Sequence, residues 1–104
     1  MINGTYLIFV EAEGSYVVFS DHEIRKAYET IFSMYEKRFA FSVLSYKYSG
    51  TMSLAVLKIT NVPTSKIMQC VLTRFSKYLN SRFSLSGKKL KDRYRAFLIK
   101  TEYL

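Results

Sequence analysis

The side chains able to do chemistry are concentrated in one stretch of this 104-residue chain. Between Pro63 and Lys100 stand Lys66, Arg74, Lys77, Arg82, Lys88, Lys89, Lys91, Arg93, Arg95 and Lys100, opposed only by Asp92, a formal +9. The 62 residues before them hold six basic and six acidic side chains and are neutral. The chemistry on offer is attraction for a polyanion, because Lys and Arg neutralise phosphates and release their counterions. Lys66, Lys77, Arg82, Lys88, Lys89, Lys91, Arg93 and Arg95 are the candidate nucleic-acid-binding residues, carried by a helix, a basic loop and a strand. Arg93 and Arg95 also have the fork geometry for bidentate contacts to base edges. Tyr46, Tyr48 and Tyr94 would stack on bases if they faced solvent, and otherwise pack the core.

No other constellation competes. His22 falls in the first turn of a helix, on its solvent side, with no partners of a catalytic triad. Cys70 lies on a polar helix face beside Lys66, Arg74 and Lys77, a setting that favours a reactive thiol; the plainer reading is a small residue at the core margin. One Cys and one His cannot build a Cys/His zinc site. Phosphate-binding and dinucleotide-binding glycine motifs do not occur. No catalytic residue, metal site or cofactor is expected.

The elements that must position the basic residues follow from periodicity. Tyr6 to Val10 is continuously apolar and aromatic, a strand buried on both faces. Tyr16 to Phe19 reads as a second short extended piece. Ser20 and Glu23 have capping-box spacing and open a helix over about residues 21–38, with Ile24, Ala27, Tyr28, Ile31, Met34 and Tyr35 as its apolar stripe. Phe39 to Tyr48 alternates as a strand, Ser49-Gly50-Thr51 is a hairpin turn, and Met52 to Thr60 returns. Thr64 or Ser65 caps a second helix whose apolar side holds Ile67, Met68, Val71, Leu72, Phe75, Tyr78 and Leu79. A loop over residues 84–91 around Gly87 leads to a final strand, Arg93 to Lys100. This order predicts an α+β, ferredoxin-like split βαβ fold with an antiparallel sheet of about four strands and two helices on one face. Residues 1–104 form a single domain at this length. The apolar fraction of 49% argues against disorder, and no apolar run reaches the ~20 residues of a membrane span. A cytoplasmic protein is expected.

Ser65-Lys66-Ile67-Met68-Gln69, Tyr78-Leu79-Asn80-Ser81-Arg82-Phe83, Ser86-Gly87 and Arg93-Tyr94-Arg95 resemble the small single-tyrosine HUH transposases, in particular the REP-associated tyrosine transposases. The opening strand, loop and Val18-Phe19-Ser20-Asp21 match in layout, so the resemblance covers nearly the whole chain. It implies the same α+β fold and a surface for hairpin or single-stranded DNA on the second helix and the loop before the last strand. Two family features are not matched. The family's His-hydrophobic-His metal motif aligns with Met52-Ser53-Leu54, and no His follows His22. The family's nucleophilic Tyr lies on a helix beyond the last strand; Tyr103 is too early in the alignment to be assigned that part.

The reading that results is a non-catalytic, transposase-derived protein that binds a DNA hairpin or single strand in a regulatory or accessory role. DNA is the expected partner and RNA the alternative, with a homodimer through a sheet edge or helix, and no membrane. The competing reading is a protein–protein interaction or dimerisation module without nucleic-acid affinity. A residual metal-dependent nuclease is the third.

Overall fold

The computed structural model describes residues 4–12, 18–83 and 94–99. Its elements run β1 (Gly4–Glu11), a 3-10 turn (Val18–Ser20), α1 (His22–Phe39), β2 (Ser42–Tyr48), β3 (Met52–Ile59), α2 (Thr64–Phe83) and β4 (Arg95–Ile99). The four strands pair antiparallel in the order β2-β3-β1-β4, as the ferredoxin-like arrangement requires. The expected loop over 84–91 lies outside the described residues.

Alternation sorts each strand into two faces. On β3, Ser53, Ala55, Leu57 and Ile59 are buried while Met52, Leu54 and Val56 are half-buried and Lys58 is exposed. Ile8 and Val10 of β1 lie opposite Ala55 and Ser53, so they share the buried face. Both helices cover that face. α1 contributes Ile24, Tyr28, Ile31, Phe32, Tyr35 and Phe39, and α2 contributes Ile67, Met68, Val71, Phe75 and Leu79. The interior is built largely of rings: Tyr28 lies 4.7 Å from Phe75, 5.1 Å from Phe32 and 5.2 Å from Phe19, centroid to centroid. Offset and edge-on arrangements of this kind add to the burial of ring area. The Tyr28 hydroxyl, fully enclosed, accepts a hydrogen bond from Ser53 Oγ at 2.9 Å. Burial, partly offset by that bond, raises the pKa of this phenol above the ordinary range.

Several local expectations change. Of the extended piece expected over Tyr16 to Phe19, Tyr16 and Val17 lie outside the described residues, and Val18 and Phe19 belong to a 3-10 turn, Val18–Ser20. Asp21, not Ser20, caps α1: its Oδ1 accepts from the N–H of Glu23 at 2.8 Å and of Ile24 at 3.3 Å. With Asp21 as the last non-helical residue, its carboxylate lies two and three positions before the first-turn donors, and a carboxylate also suits the positive helix end. α1 extends through Phe39 and stops at Ala40, which takes the left-handed conformation at φ 52°. Thr64 is the first helical residue of α2, and the Pro63 carbonyl accepts from Lys66 and Ile67 N–H.

β2 contains a register irregularity between Val43 and Ser45. The extra residue turns Val43, Tyr46 and Tyr48 all toward the helices, where strict alternation would separate Val43 from the tyrosines. Leu44 at the irregularity is left 57% exposed.

Asp21 yields a pH prediction. Desolvation alone would raise its carboxyl, but the Glu23 and Ile24 N–H groups and Arg82 outweigh this and hold its pKa below the ordinary value. A depressed folded pKa contributes stability above the unfolded pKa, and that contribution is lost as pH falls through the folded one. The Asp21→Asn variant keeps a capping side chain, so it is expected to melt only slightly lower than wild type at pH 7. The gap should close in thermal melts as pH falls below the ordinary carboxylate range. A gap that stays constant across that range would assign the difference to shape alone.

Candidate nucleic-acid interface

α2 places Lys66 and Lys77 by simple periodicity. Eleven residues turn a helix by about three full turns and advance it about 16 Å, so both side chains leave the same side. Arg74 and the half-buried Cys70 lie between them on that side. Across from this row, α1 presents Lys26. The two helices enclose an open groove of about 1030 Å³ on the surface facing away from the sheet. Its basic margin is Lys66, Arg74 and Lys77 on one side and Lys26 on the other, with Glu23 the acid present. Its floor is formed by Ala27, Ile31, Met34, Tyr35, Cys70 and Tyr78.

Arg74 is held in place. Its Nε donates to the Tyr35 hydroxyl at 3.2 Å, and its guanidinium lies 6.0 Å from the centre of the Tyr35 ring. Tyr35 stacks in turn on Phe39 at 5.6 Å. The Lys26, Lys66 and Lys77 side chains make no hydrogen bond or ion pair with another described residue, so their charges are directed to solvent.

The other predicted residues divide. Arg82, at the end of α2, pairs with Asp21 at the start of α1 at 3.3 Å. Arg95 lies on the opposite face of the molecule: it stands beside Phe9 on the helix-free side of the sheet, its guanidinium 5.5 Å from the Phe9 ring and 2.9 Å from Glu11 Oε1. Lys88, Lys89, Lys91 and Arg93 lie outside the described residues. The structure thus brings Lys66 and Lys77 together and separates Arg95 from them. Sequence reasoning did not assign Arg74 or Lys26. Arg74 carries the signal that Lys66 and Lys77 carry, whereas Lys26 lies in the neutral part and joins them only through helix pairing.

Tyr46 and Tyr48 face the helices, stacked on each other at 6.3 Å. The Tyr48 hydroxyl donates to Glu29 Oε2 at 2.6 Å, and the Arg25 guanidinium sits 5.0 Å over its ring. Burial first, and then the Glu29 carboxylate, push the Tyr48 phenol above its ordinary range; burial with Glu29 and Glu36 does the same for Tyr46. Tyr94 packs half-buried against the core. All three rings are taken up by packing. On the helix-free face, Met52 and Leu54 stand opposite Glu11 and Phe9. Among the described residues no cluster of three or more His, Cys, Asp or Glu side chains occurs, and no helix is long and apolar enough to cross a membrane.

No family profile and no curated protein matches the chain by sequence. Solved structures do. One is a REP-associated tyrosine transposase bound to a REP hairpin, with a TM-score of 0.77 at 9% identity over 99% of this chain. This chain spans 61% of the length of that protein. Another is a transposase-like protein of Deinococcus radiodurans, with a TM-score of 0.76 at 10% identity, covering 99% of this chain and 84% of the other. The βαββαβ order, the antiparallel sheet and the paired helices on one face are thus the fold of the REP-associated tyrosine transposases.

Proposed function

We propose that this protein binds a DNA hairpin or single strand without cutting it, in a regulatory or accessory role. The observation that carries the reading is the row Lys66, Arg74 and Lys77 on α2, faced by Lys26, on a fold that in one transposase is bound to a REP hairpin. Two of the three α2 cations and Lys26 have no internal partner among the described residues, so phosphates would meet charges that need not be released first. Lys88, Lys89, Lys91 and Arg93 extend the surface in this proposal. Arg82 plays a smaller part because Asp21 compensates it, and Arg95 is left out because it faces away.

The absence of cutting rests on residue identity. The resemblance places the family's metal-binding His pair at Met52 and Leu54. Thioether and alkyl side chains do not ligate Mg²⁺ or Mn²⁺, which take oxygen or imidazole donors. The residues there do not fit a catalytic metal, and no hydrolytic step is assigned.

Fluorescence anisotropy with labelled hairpin, single-stranded and duplex DNA, and a single-stranded RNA, tests the reading across a salt series. Affinity should fall linearly on a log–log plot, each phosphate contact adding about 0.7 to 0.9 to the slope. The bound hairpin should remain intact with Mn²⁺ present. Salt-independent binding, or metal-dependent nicking lost on chelation, would overturn it. A second reading, a pairing module, draws on Phe97 and Leu98, 51% and 59% exposed on edge strand β4. It predicts a dimer in sedimentation at high salt with no oligonucleotide affinity.

A further inference from the structure

We propose that the groove between α1 and α2 docks an acidic amphipathic helix of a partner protein. The inference does not depend on nucleic-acid binding, since it follows from how the floor and the margins differ. Phosphate recognition uses the cations and has no use for the floor. Met34 is 50% exposed there, beside Ile31 and Ala27. A row of aliphatic and thioether groups suits the Leu, Ile or Phe stripe of a helix, and Met adapts to varied side chains.

Unstacked bases fit this floor less well. They need open aromatic faces, and the rings here are engaged: Tyr35 with Phe39 and the Arg74 guanidinium, Tyr78 with Phe75 at 6.1 Å. The margins supply the complementary charge. Lys66, Arg74 and Lys77 follow one side at spacings of eight and three, with Lys26 opposite and Glu23 the acid present. Carboxylates at three- and four-residue steps on a helix lying along the groove would meet them in turn. The row is about 16 Å long, three turns of such a ligand. A docked helix would extend the two-helix layer to three and cover the cations that the nucleic acid would use, so the two ligands exclude one another.

Cys70 lines the groove and is the chain's sole cysteine, so its alkylation by iodoacetamide reports occupancy directly. The probe is a capped peptide of about sixteen residues with Leu on one helical face and Glu on the other; the control has the same composition with the Leu spacing scrambled. With the probe at about ten times its Kd, Cys70 should alkylate about tenfold more slowly. The scrambled peptide should bind at least about tenfold more weakly. Met34→Glu should abolish protection with Tm unchanged, and Met34→Leu should retain it. Equal binding of the scrambled peptide would reduce the groove to a charge sink and overturn the proposal. Protection by single-stranded DNA together with none by the probe would overturn it in favour of nucleotides in the groove. If the probe protects Cys70 and no oligonucleotide binds in anisotropy, the helix site stands and the nucleic-acid reading falls.

Discussion

Reversing two charges with Lys66→Glu and Lys77→Glu is expected to weaken binding of a hairpin or single-stranded oligonucleotide by about a hundredfold or more at low salt. Hydrogen bonds to charged groups contribute roughly 1.5–3 kcal/mol each, and tenfold in affinity is about 1.4 kcal/mol. The loss should come with a salt slope shallower by about two contacts. Stability should hardly change, since exposed surface substitutions usually stay within about 0.5 kcal/mol. The informative control is Lys47→Glu with Lys58→Glu. Both lysines are exposed on strands β2 and β3, on the side away from the helices, and the change in net charge is identical. If the α2 row is the interface, the control should cost far less. Equal losses from the two pairs would show that only net charge matters and remove the assigned surface.

The second large effect belongs to the core. Phe75→Ala is expected to destabilise the protein by about 3–5 kcal/mol. Phe75 is fully buried, with the rings of Tyr28 at 4.7 Å, Phe19 at 5.9 Å and Tyr78 at 6.1 Å around it. It ties α2 to α1 and to the turn preceding α1, so no single element can move inward to fill the space. Domains of this kind have a total stability of roughly 5–15 kcal/mol. The variant should therefore melt roughly 15 °C or more below wild type. Urea unfolding should give a lower midpoint with an unchanged slope. A loss under about 1 kcal/mol would mean that the ring cluster relaxes around the gap.

The contrast between these sites shows what local pattern conveys. The α2 stripe was legible because Ile67, Val71, Phe75 and Leu79 recur at four-residue steps, and the same period puts Lys66 in line with Lys77. The hairpin at residues 49–51 was legible from Gly50 between two apolar runs. The capping-box spacing from Ser20 to Glu23 does not say where helical backbone begins; it begins at His22, one residue later than that spacing implies, which makes Asp21 the cap. The end of α1 was legible to within one residue, but its left-handed cap was not, because an alanine takes that backbone with no glycine to mark it. Met34 fits the apolar stripe of α1 by spacing, yet it is half exposed because it borders the groove and not the sheet. Partners distant in the chain were also out of reach. Arg82 finds Asp21 across 61 positions and Arg95 finds Glu11 across 84, and only the topology brings each pair together.

The kink in β2 has a bearing on assembly. A sheet propagates into fibres when both of its margins can template a neighbour, and an irregular, twisted margin with a charged side chain such as Lys47 is a poor template. β2 is such a margin at one end of the sheet, and β4 at the other end pairs in regular register with β1. A copy that joined along β4 would leave β2 strands as both outer limits of the enlarged sheet. Growth by that route would terminate at two chains, with the broken register of β2 and the charge of Lys47 guarding each outer margin.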